Sequence, residues 1–295
     1  MRIRRTGGNR GGKVACVTCF FDWANNPHIA ANHERFRQHW KASGIPLFTV
    51  ALRRKGDRLR LPAQPNLFRV QVKEPLFHKE SALNYAVRQL PPEFTTVLYV
   101  DADMLIDDYR TLEPVPGMLA NGINAVQVIG TVQYRDDAGQ VIETRTAYNH
   151  TRRLGFYGAG WAYRREFFDV HGGFYTSYPM GGLDTCALIA AYNDAHNPRR
   201  NCFWRLLPPH IANDAKAWCE VKGKYFGGKV AVLNNVAQHL WHGDLSTRRY
   251  VDRHEILRNV PAYCFQQDRN GFVEFDQLPP CVENQINDYW QGRKP

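Results

Sequence analysis

Between Lys13 and Asp101, short runs rich in β-branched residues alternate with segments that carry helical spacing. This alternation is typical of a mostly parallel sheet that is covered by helices on both faces. The predicted strands are KVACVTCFF, IPLFTVAL, LFRVQV and TTVLYV, and the predicted helices are HIAANHERFRQHWKASG, which closes at Gly44, and KESALNYAVRQL, which ends before Pro91. The sequence therefore predicts an α/β fold, in which ligands bind beyond the carboxyl ends of the strands.

After Asp107 the pattern changes. A hairpin is predicted to turn at residues 136–139, a short helix to start near Arg165 within a stretch rich in glycine and aromatic residues, and a further helix to cover LDTCALIAAYNDAH. No internal repeat and no long linker divides the chain. We expect a flexible basic tail over residues 1–12 and one domain over residues 13–295. The two halves of this domain, 13–107 and 108–295, differ in their sequence pattern.

The composition bounds the class of protein without deciding its partner. The chain has 295 residues, of which 44% are hydrophobic and 22% charged, and a formal net charge of +10, and these fractions are ordinary for a globular enzyme. A basic balance favours nucleic acid, anionic lipid or a phosphorylated substrate as a partner. A solvated surface that is merely basic explains the charge equally well.

Cysteine usage and hydropathy indicate the compartment. The seven cysteines are scattered without tight spacing, which argues against a disulfide framework, and the pair in CVTC is interpreted as core packing within a strand. No apolar run approaches the about 18 residues of a transmembrane span. The start, MRIRRTGGNRGG, lacks the apolar segment of a signal peptide. These features predict a protein of the reducing cytoplasm.

The segment VLYVDADMLI places Asp101 and Asp103 at the carboxyl end of a predicted buried strand. Residues i and i+2 of extended chain share a face, so both carboxylates point the same way. Carboxylates beside a core are costly unless a cation meets them. Two oxygen ligands hold magnesium or manganese weakly, and substrate phosphates and water usually complete such a site. The tripeptide is common, so a role without metal stays open.

The segment HLWHGD supplies His239 and His242, which a spacing of three brings together on a helical turn. A single histidine is usually a satisfied surface or core residue, but two at this spacing are better explained by a shared ligand. Imidazole combined with carboxylate suits manganese, iron or zinc more than calcium. Asp244 is a candidate to orient one of the imidazoles.

Asp184, in PMGGLDTCAL, follows two glycines at the predicted start of a helix. The commoner use of an aspartate there is as an N-cap. A carboxylate beside a glycine-lined gap is also suited to act as a general base for an incoming hydroxyl. The residue alone leaves both interpretations open.

Taken in order, these motifs resemble those of metal-dependent GT-A glycosyltransferases, such as the β-1,4-galactosyltransferases and family-2-like enzymes of bacteria and large viruses. FHKESALN is similar to the helix that precedes the Asp-x-Asp strand in that family, FYGAGWAYRREFFDVHGGF to its Gly-rich donor and acceptor segment, and GGLDT to its Gly-Gly-Glu-Asp. The similarity covers roughly residues 13–253. It implies a GT-A (Rossmann-like) fold, with a nucleotide-sugar half over 13–107 and an acceptor and catalytic half over 108–295.

The resemblance also implies roles for particular residues. The implied donor contacts are Lys79, Asn84, Asp101, Asp103, Gly160 and Trp161; the implied metal ligands are Asp103, His239 and His242; and the implied catalytic base is Asp184. The implied cofactor is Mn²⁺ or Mg²⁺, with a nucleotide-sugar, preferably a UDP-sugar, as co-substrate. A single base without a second carboxylate as nucleophile implies inversion. Two positions depart from the pattern, because Leu183 replaces a glutamate and Lys79 an arginine.

The acceptor is less constrained by the sequence. The segment STRRYVDRHEILR supplies Arg248, Arg249 and Arg253, a basic cluster with interleaved aromatic residues that fits a polyanion. We narrowly favour a hydroxymethylated DNA base in a bacterial or virus-infected cell, which would require base flipping. A cell-surface glycan or lipid-linked acceptor is the alternative. A nucleotidyltransferase and a sugar-nucleotide-binding protein without catalysis are further alternatives, and the sequence does not indicate the oligomeric state.

Overall fold

The computed structural model describes residues 12–148 and 155–293, so residues 1–11 of the predicted basic tail lie outside it. A seven-stranded sheet forms the centre of the fold. In spatial order its strands are β10 (Val230–Val232), β6 (Ala125–Gln127), β9 (Gly160–Arg164), β4 (Phe94–Val100), β1 (Lys13–Phe20), β2 (Leu47–Arg54) and β3 (Leu67–Val72). Only β9 runs antiparallel to its two neighbours within this sheet. The predicted α/β fold with a mostly parallel sheet is thus confirmed.

Helices cover both faces of this sheet because the strands bury side chains in both directions. The helices are α1 (Pro27–Trp40), α2 (Lys79–Gln89), α3 (Val115–Ala120), α4 (Glu166–Asp169), α5 (Leu183–Ala191), α6 (Asn201–Trp204), α7 (Pro209–Phe226) and α8 (Pro280–Gln291). Alternate strand residues such as Tyr99 join the core beneath α2 and α5, whereas Leu98 joins the core beneath α1 and α3. This alternation follows from the period of two in a β-strand.

The first two predicted helices lie close to their expected positions. Helix α1 begins after Asn26, whose side chain accepts from the backbone N–H of His28, as an N-cap should. It ends at Trp40, and a short 3₁₀ helix then runs to Gly44, which has the left-handed φ of +66° that favours glycine. Helix α2 spans Lys79–Gln89, and its C-cap residue is Leu90, directly before Pro91.

A second sheet of four strands lies beside the first. Its strands, in spatial order, are β5 (Met104–Ile106), β11 (Val236–His239), β7 (Thr131–Arg135) and β8 (Val141–Thr146). Strands β7 and β8 form the predicted hairpin, with a turn in which the backbone N–H of Gly139 donates to the carbonyl oxygen of Asp136. A small hairpin of β12 (Phe265–Gln267) and β13 (Val273–Phe275) precedes α8.

The two predicted halves of the chain are built into the same sheet. Strands β6, β9 and β10 follow residue 107 in sequence but extend the sheet that β1 to β4 begin. The division at residue 107 stays a prediction about roles. All seven cysteine thiols are free, and no helix of the described part is long and apolar enough to span a membrane.

Candidate active site

A cavity of about 1030 Å³ opens where β1 and β4 end, at the edge at which parallel sheets bind ligands. Small-molecule sites usually measure on the order of 300–1,000 Å³, so there is room for a nucleotide-sugar and part of a second substrate. Among the residues that the structure describes, its wall carries seven cationic side chains (Lys79, Arg145, Arg199, Arg200, Arg248, Arg253 and Arg293) against four carboxylates (Glu80, Asp101, Asp103 and Asp184). The excess of positive charge favours an anionic ligand.

Asp103, His239 and His242 converge at one end of this cavity. The Nε2 atoms of His239 and His242 lie 3.4 Å and 3.1 Å from Oδ2 of Asp103, and the three candidate ligand atoms all lie within 4.8 Å of one another. The strand register explains this, because His239 of β11 pairs with Met104 of β5, and the N–H of Leu240 donates to the carbonyl oxygen of Asp103.

The two histidines meet without the helical turn that their spacing predicted, so that expectation was wrong. His239 is the last residue of β11, and the chain leaves the strand before His242, reaching Gly243 with a φ of +114°. The backbone is held there by α1, because the side-chain amide of Asn26 donates to the carbonyl oxygen of His242 and that of Asn32 to the carbonyl oxygen of Trp241. The bend after the strand, rather than a helix, turns the second imidazole toward Asp103.

This cluster has the chemistry of a divalent metal site. Ligand atoms bound at about 2.1 Å are about 3.0–3.4 Å apart for angles between 90° and the tetrahedral value, and the two Asp103–imidazole distances of 3.1 Å and 3.4 Å fall in this range. Within residues 12–148 and 155–293, Oδ1 of Asp103 is buried without a hydrogen-bond partner, as expected of a carboxylate that needs a cation. Manganese suits this mixture of imidazole and carboxylate better than magnesium does.

Asp101 and Asp103 differ in their electrostatics. Burial raises the pKa of the Asp103 carboxyl, but His239 and His242 outweigh burial and leave that pKa well below its usual value. Burial raises the pKa of Asp101, and the nearby carboxylates of Asp103 and Asp184 raise it further. The positive charge of Lys79 lowers this pKa but does not outweigh them, so the net shift is upward. Burial also lowers the pKa of His242 to about 4, which keeps that imidazole neutral and able to bind a metal at neutral pH.

At the other end of the site, Lys79 lies between the carboxylates of Asp101 and Asp184. Its Nζ lies 3.5 Å from Oδ1 of Asp101 and 3.6 Å from Oδ2 of Asp184. Burial lowers the pKa of Lys79, but the two carboxylates outweigh it and the pKa is raised well above its usual value. The ammonium therefore stays charged and positions both carboxylates at the cavity wall.

Asp184 lies in the first turn of α5 and does not cap it. The N-cap residue is Gly182, which has a φ of +82°, so the N-cap interpretation of Asp184 is wrong. Oδ1 of Asp184 accepts from the backbone N–H of Thr185, while Oδ2 faces the cavity. A Cβ added at Gly158 would come within 2.5 Å of that Oδ2, so only glycine leaves room for the carboxylate.

Three of the expected donor contacts lie in the scaffold rather than in the cavity wall. The side-chain amide of Asn84 donates to the carbonyl oxygen of Phe174 and accepts from its N–H. Trp161 is only 1% exposed, and its Nε1 donates to the carbonyl oxygen of Tyr157. A Cβ at Gly160 would come within 3.0 Å of Val128, so this glycine permits close packing. The structure therefore places these three residues outside the cavity wall, and their role as donor contacts stays a prediction.

The predicted arginine cluster divides into two positions. Arg248 and Arg253 line the cavity, and Arg253 is only 6% exposed. Nη2 of Arg248 lies within hydrogen-bond distance of both imidazoles of the metal cluster. Arg249, by contrast, is exposed and outside the cavity wall, with a left-handed φ of +44°. The cluster is thus mostly a lining of the cavity rather than a basic surface.

The structure adds wall residues that sequence reasoning missed. Glu80 is 4% exposed, and burial, partly opposed by Lys79, raises its pKa to about 7. Arg293, just beyond α8, stacks over Trp290 at 5.3 Å and faces the same cavity. Glu80 could have been found from its place beside Lys79 at the start of α2. No local motif marks Arg293, which reaches the site only through the packing of α8.

No known protein family matches the sequence, and no curated protein is similar to it. Among solved structures, the chain is similar to the catalytic domain of Drosophila β1,4-galactosyltransferase 7 in complex with xylobiose, at 13% identity and a TM-score of 0.43, over 93% of this chain and 97% of that chain. A mutant of the Drosophila enzyme in complex with manganese, UDP-Gal and xylobiose gives 11% identity and a TM-score of 0.46, over the same 93% and 97%.

Staphylococcus aureus TarS in complex with UDP-GlcNAc is similar at 14% identity and a TM-score of 0.39, over 60% of this chain and 53% of that chain. These neighbours are of the class that the sequence resembles, the GT-A glycosyltransferases. With TM-scores this low they are too distant to assign a function, which has to come from the geometry of the site.

Proposed function

We propose that this protein is a metal-dependent glycosyltransferase, which moves a sugar from a nucleotide-sugar, with a UDP-sugar favoured, to an acceptor hydroxyl. One observation carries this proposal. A three-residue cluster suited to a divalent cation and the carboxylate of Asp184 lie in one basic cavity, and Lys79 lies between Asp184 and the Asp-x-Asp segment. Cation, positive charge and general base are what transfer from a diphosphate leaving group requires.

The metal would be held by Asp103, His239 and His242, with the donor diphosphate and water as the remaining ligands. When bound, it supplies positive charge that stabilises the departing nucleoside diphosphate. The three ligands come from two paired segments of the second sheet: Asp103 directly precedes β5, and His239 and His242 lie at and just beyond the end of β11. Lys79 adds a charge that does not depend on pH near neutrality, because its pKa is raised well above the usual value.

Asp184 is the proposed general base. Its Oδ2 faces the cavity beside Gly158, where it can accept the proton of an acceptor hydroxyl as that oxygen attacks the anomeric carbon. Of the other described carboxylates of the wall, Asp103 belongs to the candidate metal cluster and Glu80 is only 4% exposed. Asp101 and Asp184 both contact Lys79, at 3.5 Å and 3.6 Å, and we assign the base to Asp184 because Asp101 adjoins the metal ligand Asp103. With no second carboxylate assigned as a nucleophile, we propose a direct displacement with inversion.

The positions of the arginines favour an acceptor that enters the cavity over duplex DNA. Binding to DNA rests on phosphate contacts with exposed cationic side chains. Arg253 is 6% exposed and points into the cavity, and Arg248 is engaged with the imidazoles. We therefore rank a glycan or lipid-linked acceptor above the hydroxymethylated DNA base that the charge alone favoured.

The test is nucleotide release from a panel of UDP-, GDP- and dTDP-sugars with Mn²⁺, with and without chelator, in the presence of glycan acceptors, lipid-linked acceptors or DNA that contains hydroxymethylated bases. We expect metal-dependent release from one donor, stimulated by a glycan or lipid-linked acceptor. Stimulation only by the modified DNA would reverse our order of acceptors.

The variant that tests the base is Asp184→Asn, with Asp137→Asn as its matched control because Asp137 is exposed in the β7–β8 turn. Losing a general base costs on the order of 10²–10⁴-fold, so we expect Asp184→Asn to lower turnover about 10³-fold while Mn²⁺ and UDP still bind. Full activity of this variant would remove Asp184 from the mechanism. Absence of release from every donor by the folded wild-type protein would favour sugar-nucleotide binding without catalysis.

A further inference from the structure

The guanidinium of Arg248 contacts the same imidazole atoms that would bind the metal. Its Nη2 lies 3.0 Å from Nε2 of His239 and 2.9 Å from Nε2 of His242. A guanidinium offers only donors, so in these bonds the imidazole nitrogens must accept. A neutral imidazole has one lone pair on its unprotonated nitrogen. The lone pair that accepts from Arg248 is therefore unavailable to a metal ion, and the two contacts exclude each other.

The neighbourhood of these nitrogens favours a cation at this point. Oδ2 of Asp103 lies 3.1 Å from Nε2 of His242 and 3.4 Å from Nε2 of His239. A nitrogen that accepts from Arg248 has no proton to donate to that carboxylate. Three acceptor atoms are thus gathered together, and they need either the positive guanidinium or a divalent metal ion nearby to offset the charge of Asp103.

Few bonds hold the Arg248 side chain in place. Nη1 donates to the hydroxyl of Tyr250 at 2.9 Å, whereas Nε is buried and has no hydrogen-bond partner among the described residues. The hydroxyl of Tyr289 donates at 3.1 Å to the backbone carbonyl of Arg248, not to its side chain. The side chain can therefore leave the imidazoles without breaking this backbone contact, and the adjoining cavity of about 1030 Å³ has room to receive it.

We propose that the guanidinium of Arg248 and the divalent metal compete for the same place in the site. The guanidinium occupies the space beside the ligand atoms of Asp103, His239 and His242, and metal binding displaces it into the cavity. This inference rests on the proposed function, since it takes these three residues as the metal ligands. The diphosphate of a nucleotide-sugar offers the displaced guanidinium an anionic partner. Metal and donor then favour each other's binding, and each binds less tightly alone.

The decisive measurement is the Mn²⁺ dissociation constant without nucleotide, read from the electron paramagnetic resonance signal of unbound Mn²⁺. Replacing Arg248 by Gln removes the competitor, and we expect Mn²⁺ to bind on the order of tenfold more tightly, as hydrogen bonds from a charged donor no longer have to be broken. Unchanged or weaker binding in Arg248→Gln would overturn the proposal.

Arg253→Gln separates competition from the general field of the cavity. Arg253 lines the same wall and its loss changes the charge equally, but its guanidinium stacks over Phe77 at 4.6 Å and not on the metal cluster. We expect its Mn²⁺ affinity to stay within about threefold of the wild type, because the guanidinium that occupies the imidazole nitrogens is that of Arg248. An equal gain in Arg253→Gln and Arg248→Gln would mean that lost charge alone tightens binding, which contradicts competition.

Tyr250→Phe provides a second variant that keeps the net charge. Tyr250 is 48% exposed, so the substitution is compatible with folding, and it removes the hydroxyl that anchors Nη1 of Arg248. We expect a gain of about threefold in Mn²⁺ affinity. If Arg248→Gln does not fold, this variant decides, and no gain would count against the proposal.

His239→Gln in the Arg248→Gln background locates the ion. The tightened Mn²⁺ binding must disappear in the double variant; if it persists, the ion binds elsewhere and the inference fails. Because none of these measurements needs turnover, they separate the two proposals. Competition for Mn²⁺ without any sugar transfer would leave Arg248 in its role and refute the transferase.

Discussion

Asp101 and Asp103 are separated by one residue at the same sheet edge, yet their surroundings act on them in opposite directions. Asp103 faces two imidazoles, and its pKa lies well below the usual value; Asp101 faces Lys79 but also two other carboxylates, and its pKa is raised. Both side chains are comparably exposed, at 24% and 28%. Burial therefore does not distinguish them, and their neighbours do.

The same contrast separates the two ends of the cavity. At the metal end, the position of the ligands is fixed by the pairing of β11 with β5 and by hydrogen bonds that the side-chain amides of Asn26 and Asn32 donate to the backbone carbonyls of residues 242 and 241. At the base end, Asp184 is placed by a balance of charge with Lys79 and by the space beside Gly158. Variants at the metal end should therefore change ion binding, and variants at the base end should change turnover alone.

The largest expected effect on ion binding is at the metal end. Replacing His239 by Gln removes one of three protein ligands, and since even indirect supports of a metal ligand are worth about 10–100-fold, we expect Mn²⁺ affinity to fall at least about 100-fold. Added Mn²⁺ should restore part of the turnover. The matched control is His196→Gln, because His196 is an exposed histidine outside the cavity.

If Gly158→Ala, at the base end, lost as much Mn²⁺ affinity as His239→Gln, the two ends of the cavity would not be separable in the way that the contacts indicate. Isothermal titration of both variants with Mn²⁺ measures this directly.

A smaller effect is expected at the base end from Gly158→Ala. The added Cβ would lie 2.5 Å from Oδ2 of Asp184, so the carboxylate must move, and small displacements of catalytic groups cost one to two orders of magnitude. We expect turnover to fall about tenfold with Mn²⁺ affinity unchanged. Gly117→Ala in α3 is the control, because nothing lies within 4 Å of its added Cβ. Normal turnover in Gly158→Ala would mean that the position of Asp184 does not limit the reaction.

The sequence predicted the parts of the site that local patterns encode. The strand–helix alternation located β1 to β4, and the Asp-Ala-Asp segment follows β4 as expected. The sequence could not show how the histidines meet, because that depends on the pairing of β11 with β5. These segments are far apart in the sequence, since the hydrogen bond from Gln238 to Asp107 joins residues that are 131 positions apart. The resemblance could not show that Asn84 and Trp161 lie outside the cavity wall, because a motif carries residue types but not the direction in which each side chain packs.

The smallest effect concerns stability and tests the opening comparison directly. In chelator, Asp103→Asn should lower the free energy of unfolding at pH 7 by about 2 kcal/mol, because it removes the negative charge that offsets the nearby guanidinium of Arg248. A carboxyl whose pKa is lower in the folded than in the unfolded protein stabilises the fold when the pH lies above its unfolded pKa, here near the ordinary 3.8. This stabilisation is lost as the pH falls below that value toward the folded pKa. The difference from the wild type should therefore shrink below about pH 4.

Asp101→Asn should behave in the opposite way. A raised folded-state pKa means that the ionised form is disfavoured in the folded protein, so its removal at pH 7 should change the free energy of unfolding by no more than about 0.5 kcal/mol or raise it. Lowering the pH protonates Asp101 in the wild type and removes any remaining difference. Urea unfolding of both variants and the wild type at pH 7 and at about pH 2, below the ordinary carboxyl pKa, measures the contrast. A loss in Asp101→Asn as large as that in Asp103→Asn would show that Lys79 stabilises Asp101 as strongly as the imidazoles stabilise Asp103.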